Sequence, residues 1–321
     1  MVLAITVDTL VSGVHFPADT PPADIGYKAL AVNVSDLAAM GAWPDWAVIS
    51  LTMPEHDEDW ISDFQRGFHE LAHQYGIRLM AGNFGSGPLA VTIQIHGQVP
   101  AEQALHRDGA RAGDLIFVTG TLGDAGLALA RCFTRERWPD LAPEHQVLVE
   151  RRLAHPIPRV KEGMALRGIA SSAIDISDGL IADLSHIVRA SRAAIEQAGL
   201  SLANDPSGNG SPEPSISEMV LGAVLHAEKL PLSPALRALP DPMSARRLAL
   251  LSGDDYELCF TVPKGRQRAL MQAAEQFSCP ITCIGHMESH PVPYPEVQFS
   301  GRHTELGREI FSSGGGYRHF Q

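Results

Sequence analysis

Apolar and polar positions along this chain switch repeatedly between a period of two and a period near 3.6. Val2 to Val7 is an apolar, β-branched run that stops at Asp8, as a buried strand would. From Asp24, a candidate N-cap, the apolar residues Ile25, Ala29, Val32 and Met40 follow at helical spacing and Gly41 closes the segment. Ala47 to Met53 reads as a strand, Asp59 to Tyr75 as an amphipathic helix stopped by Gly76, and Leu89 to Val99 as an alternating strand.

Further along, Leu115 to Val118 predicts a strand, Thr119 to Asp124 a turn and Ala125 to Phe133 a helix. Ala173–Ile176, Leu258–Val262 and Ile281–Gly285 are strands, and a helix runs from about Gly179 to Ala190. Asn204 to Ser217 is rich in Pro, Gly and Ser, which marks a surface insertion near 203–218. The polar, glycine-containing stretch Arg107–Gly113 divides the pattern into a unit of 1–108 and a larger one of 109–321. The sequence thus predicts a mixed α/β (α+β) protein.

Bulk properties narrow the function. At 321 residues and 45% hydrophobic content there is material for two packed interiors. No apolar run reaches the roughly 18 residues of a membrane span, and the start lacks a basic n-region, so the expectation is a cytoplasmic protein with no membrane partner. A net charge of −12 argues against nucleic acid, whose phosphates need clustered Lys and Arg. Anionic substrates remain open if divalent cations bridge carboxylates to phosphates. Cys279, Cys283, His286 and His290 offer four zinc-type ligands, but Ile281 and Cys283 alternate with Thr282 as on a buried strand, which favours core cysteines.

The chemistry-bearing signal is a set of acids in apolar surroundings. Asp8 closes a strand, Asp36 sits one turn from Val32 and Met40, and Asp175 and Asp178 frame Ile174 to Leu180. Buried carboxylates are paired, hydrogen-bonded or metal-bound. Asp36 could pair with Lys28, and Ser177 or Asp178 could cap the next helix. Few basic residues lie nearby in sequence, which suits Mg²⁺. The glycine-rich stretches 82–87 and 120–126 could turn backbone N–H groups toward phosphate. Neither is a P-loop or a Rossmann turn. No nucleophile elbow and no Cys–His pair stands out, and His15 reads as an exposed polar contact.

Taken together, Val7–Phe16, Gly26–Gly41, Asp114–Asp124, Ile174–Leu180, Ser252–Leu258 and Gly316–Phe320 resemble, in order and over nearly the whole chain, the thiamine-monophosphate kinases of the AIR-synthase-like superfamily. The resemblance implies a two-domain fold: an N-terminal mixed sheet with helices and a larger C-terminal α+β domain. It implies transfer of the ATP γ-phosphate to thiamine monophosphate in the cleft between them, with Mg²⁺ held by Asp8, Asp36, Asp175 and Asp178 and assisted by Thr6. By the same resemblance Gly82, Asn83, Arg107 and Ser177 contact ATP. His15, Asp254 and Tyr317 hold the thiamine phosphate, and homodimers form through the N-terminal sheets.

Several positions depart from the family pattern. An upstream Gly-x-Gly-Asp-Asp segment has no counterpart in residues 1–321, Asn83 replaces a metal-binding Asp, Val7 a Thr, and Asp254 a Glu. These departures keep a second expectation alive: a relative that binds nucleotide or thiamine phosphate without turnover. A third is another ATP-using member, such as a selenophosphate synthetase or a hydrogenase-maturation protein, which His15 and Gly253–Glu257 fit less well.

Overall fold

The computed structural model describes residues 1–203, 219–291 and 295–300. The insertion at 204–217, the closing motif and Tyr317 lie outside the described residues. The first sheet has the order β1-β4-β2-β3, built from β1 (Val2–Val11), β2 (Trp43–Met53), β3 (Arg78–Ser86) and β4 (Ala90–Val99). Only β2 and β3 run parallel. Helices α1 (Pro22–Ala39) and α2 (Glu58–Tyr75) accompany it. They meet with backbones almost touching: a Cβ on Gly67 would lie 1.8 Å from the Ala23 carbonyl oxygen, and one on Gly26 2.1 Å from that of Phe64. Only glycine permits such an approach.

The second sheet has the order β10-β7-β9-β5-β8-β6. Its strands are β5 (Leu115–Thr119), β6 (Ser172–Asp175), β7 (Met219–Leu225), β8 (Leu258–Val262), β9 (Ile281–Pro291) and β10 (Val297–Phe299). Helices α3 (Asp124–Thr134), α4 (Pro143–Ala154), α5 (Val160–Ala165), α6 (Leu180–Ala203), α7 (Pro234–Arg237), α8 (Pro242–Leu251) and α9 (Gln267–Ala274) complete the described chain. The architecture is α+β, with two mixed sheets each carrying helices.

Helix α1 is the hinge of the packing. Fourteen of its residues are buried, and one continuous core joins Leu30, Val34 and Leu37 to Ile93 and Ile95 of the first sheet and to Leu258 and Phe260 of the second. A helix covered on every side needs no polar face, which is why its Ala/Val/Leu-rich sequence lacks a sharp apolar stripe.

The structure corrects several expectations. Asp24 does not cap α1; the helix begins at Pro22 without a side-chain cap, and Asp24 pairs instead with His155 at 2.7 Å. The first strand extends to Val11 and buries one face only, leaving Leu3, Ile5 and Val7 more than half exposed. Gly82 to Ser86, expected as a phosphate-facing turn, belongs to the edge strand β3. Helix α6 continues past Ala190 to Ala203.

Candidate active site

Alternation along β1 aims Thr6, Asp8 and Leu10 to the side that meets α1, where Leu10 is buried. Thr6 Oγ1 donates to Asp36 Oδ2 on α1, and the Asp8 side chain also hydrogen-bonds to Asp36. One residue earlier on α1, Ser35 Oγ donates to Asp175 Oδ2 at 2.6 Å, at the end of β6. Three acids from β1, α1 and β6 therefore converge although up to 167 positions separate them in the chain. Burial pushes the pKa of Asp36 up, against the hydrogen bonds from Thr6 and Asp8 and the more distant charge of Arg107. Burial, and then the negative charge of Asp36, push Asp175 well above the usual carboxylate value. Among the described residues no ion pair joins Asp36, Asp175 or Asp178 to a lysine or arginine. Lys28, the partner considered for Asp36, lies 3.0 Å from Asp254 instead.

The turn between β6 and α6 carries Ser177 and Asp178. Neither caps the helix. The backbone N–H groups of Ser177, Asp178 and Gly179 all donate at 3.1 Å to Oδ2 of Asp183, in the first turn of α6. Burial and the charge of Asp178 push the Asp183 carboxyl up to about 7, against those three donors. Asp178 is thereby left to face the cleft. Asp183 was missed in the sequence, where its only signal was an acid in a first helical turn.

Opposite this turn, residues 252–257 fold into a strained loop. Asp254 (φ 66°) and Tyr256 (φ 49°) both occupy the left-handed region, at a cost of order 1 kcal/mol each. Their amides donate to the carbonyls of Ser177 and Ile176. At its end Glu257, fully buried, receives Arg159 bidentately at 2.6 Å together with Arg152 and Thr119. Burial alone would push its pKa up, but the two guanidinium groups outweigh it and the net shift is downward.

These parts enclose a cleft of about 730 Å³ between the two sheets. Asp8, Asp36, Asp175, Ser177 and Asp178 form its acidic end. His15 and Asp254 line it too, and Leu10, Val14, Leu129, Phe133 and Leu251 supply apolar wall. The His15 ring is set by the Val11 amide, which donates to Nδ1 at 3.0 Å. No three His, Cys, Asp or Glu side chains close a ready-made cation cage among the described residues. Mg²⁺ does not require one: it binds through one or two carboxylates and completes its shell with water and phosphate oxygens. Converging carboxylate oxygens, of which Asp36 and Asp175 have raised pKa and no lysine or arginine partner among the described residues, fit that ion.

Three expected nucleotide contacts do not line the cleft. Asp8, Ile93, Ile49 and Gly82 form one row across the first sheet, so Gly82 and Asn83 lie about three strand spacings, roughly 14 Å, from Asp8. Arg107 is exposed on the connection after β4, within electrostatic range of Asp36 and His186. The zinc-type residues are dispersed along β9 and its approach: Cys279 faces Glu162, Cys283 the Gly285 carbonyl, and His286 and His290 flank Glu288.

Residues 1–99 match the family model for the AIR synthase related protein, N-terminal domain. The chain is 45% identical over 287 residues to the thiamine-monophosphate kinase of Salmonella typhimurium, covering 89% of this chain and 79% of the relative. The Escherichia coli enzyme is likewise 45% identical over 285 residues, with 89% and 78% coverage. The chain belongs to the thiamine-monophosphate kinase family. Among solved structures, the thiamine-monophosphate kinase of Stenotrophomonas maltophilia superposes with a TM-score of 0.78 at 42% identity, covering 93% of this chain and 85% of that one. AaThiL complexed with AMPPCP and TMP superposes at 0.75 with 29% identity, covering 99% and 87%. Hydrogenase maturation protein HypE shares only the fold, with a TM-score of 0.68 at 17% identity over 99% of this chain and 90% of that one. As a thiamine-monophosphate kinase family member, the chain is an enzyme of the kinase class. No helix among the described residues is long and apolar enough to cross a membrane.

Proposed function

We propose that this chain transfers the γ-phosphoryl group of ATP to the phosphate of thiamine monophosphate, in line and without a covalent enzyme intermediate, in the cleft between a 1–108 and a 109–321 domain. The observation that carries the reading is the convergence of Asp8, Asp36 and Asp175 from three elements onto one cleft, with no described lysine or arginine paired to Asp36 or Asp175. Asp8, Asp36, Asp175 and Asp178, with Thr6, would hold Mg²⁺. When bound, the ion neutralises polyphosphate charge and aligns the attacking and leaving oxygens. Ser177 contacts ATP on the acidic side, and Arg107 is near enough to bear on its phosphates. His15 and Asp254, with Tyr317, hold the acceptor, whose organic part rests on the apolar wall of Val14, Leu129 and Phe133. Positioning and charge neutralisation suffice for phosphoryl transfer, so the lack of a nucleophile elbow costs nothing.

A homodimer through the first sheet, in a cytoplasmic setting, completes the proposal. Among the described residues no strand pairs with the outer edge of β1 or β3, and Leu3, Ile5, Val7, Met80 and Phe84 are each at least half exposed. An uncovered apolar edge is an aggregation hazard that a second copy removes. It would also give Gly82 and Asn83, remote from Asp8 within one protomer, a cleft to serve in the neighbouring copy. Val7 projects to this outer face at 58% exposure, so its replacement of Thr leaves the cleft carboxylates untouched. Purified protein should release ADP only when thiamine monophosphate and Mg²⁺ are both present, and EDTA should stop it. Nucleotide binding without acceptor-dependent ADP release would favour the non-catalytic alternative.

A further inference from the structure

Lys28 is a lysine placed where lysines are rarely found. Its side chain is 5% exposed, and it does not line the cleft. Its ammonium lies 3.0 Å from Oδ1 of Asp254, at an angle outside hydrogen-bond geometry, so the contact is one of charge more than of direction. Tyr256 Oη donates to the same oxygen at 3.1 Å. The Lys28 approach and the Tyr256 hydrogen bond both fall on Oδ1, and Asp254 lines the cleft. Asp254 needs such a grip, because its left-handed backbone is strained and its side chain is 22% exposed.

Lys28, Val32 and Asp36 follow one another at intervals of four on α1 and so share one face of the helix. Val32 and Asp36 line the cleft. Eight residues at 1.5 Å rise place the two charged ends of this ridge about 12 Å apart. The acidic phosphate-handling end and the Asp254 end are thus fixed to the same buried rod.

We propose that Lys28 is a positioning residue for the acceptor. It never touches the substrate; its buried ammonium pins Oδ1 of Asp254 so that Oδ2 is presented to the organic part of the phosphorylated acceptor at a set distance from Asp36. This deepens the kinase reading and rests on it. The contact also crosses from the first sheet's helix to the loop of the second half, and so keeps the strained loop registered to α1.

Steady-state kinetics of the full chain with thiamine monophosphate, ATP and Mg²⁺ test the proposal, together with calorimetric binding of thiamine monophosphate alone. Lys28→Met keeps most of the side-chain volume and removes the charge. It should raise the acceptor KM and the acceptor dissociation constant about tenfold or more, while the ATP KM and kcat stay within about threefold. Asp254→Asn should raise the acceptor KM and dissociation constant at least as much. The double variant, which leaves no buried unpaired charge, should be no worse than the poorer single variant, because both act through one contact. Additive effects in the double variant, equal losses for acceptor and ATP, or an unchanged acceptor KM in Lys28→Met would overturn it. If the wild type turns over but Lys28→Met behaves as wild type, only the positioning role fails. If the wild type neither binds nor phosphorylates thiamine monophosphate, the functional reading falls and takes the positioning role with it.

Discussion

Two groups of buried acids sit within one loop's reach of each other and are treated in opposite ways. Glu257 is fully enclosed, gripped by two arginines and a threonine, and its net pKa shift is downward. Asp36 and Asp175 are also deep, yet hydroxyls and a neighbouring carboxyl stand where cations could have been, and both are pushed upward. The paired acid is complete as folded. In the unpaired set the crowding of negative charge is relieved by a proton or by an incoming cation, and this difference separates scaffold from site more sharply than burial does.

The contrast predicts its own failures. The largest effect belongs to Glu257→Gln, which strands two buried guanidinium groups and should cost about 3–5 kcal/mol in denaturant unfolding. Asp175→Asn should leave unfolding in metal-free buffer unchanged or more favourable to the native state, yet lower kcat/KM by about 100-fold or more, since even outer partners of metal ligands are worth 10- to 100-fold. Equal stability losses in the two variants would erase the distinction between them.

Acid titration sharpens it. The folded pKa of Glu257 is depressed, so its contribution is fully present above the unfolded value of 4.5 and fades as pH falls through the folded value. The stability gap between wild type and Glu257→Gln should therefore narrow below about pH 4.5. Asp175 has the opposite sign: its folded pKa is raised, so the wild type loses stability relative to Asp175→Asn as pH climbs from the unfolded value of 3.8. Parallel profiles for the two variants would refute the assignment. The smallest effect is at a third kind of acid. Exposed Asp57 caps α2 by accepting from the Trp60 amide at 3.0 Å, and Asp57→Ala should cost about 1 kcal/mol with no change in turnover.

The sequence showed the acids but not their company. Asp8, Asp36, Asp175 and Asp178 stood out because an acid ending an apolar run is locally conspicuous. The cationic partners of Glu257 and Asp254 did not, because Arg152 and Arg159 meet Glu257 across 105 and 98 positions and Lys28 meets Asp254 across 226. Helix α2 was legible to its last residue from its amphipathic face and from Gly76, which takes the left-handed conformation, while its cap Asp57 was not read. Strand β3 was not: nearly every residue in it is exposed, so no alternation marks it, and Gly82 and Gly85 imitate a turn. Strand β7 was not read at all, because it follows directly on the Pro-, Gly- and Ser-rich insertion. The resemblance carried the function, and its match in order over the chain is what local patterns lacked.

The glycine pair where α1 crosses α2 has a consequence for how this protein tolerates change. Gly67 and Gly26 each face a backbone oxygen at a distance where even a methyl group cannot fit. Adding one carbon at either position would wedge the rods apart and swing the far end of α1, ten residues on, where Asp36 stands. Chemical mildness and biological mildness part company there: the gentlest substitution in the genetic code acts on the cleft through a lever arm of about 15 Å.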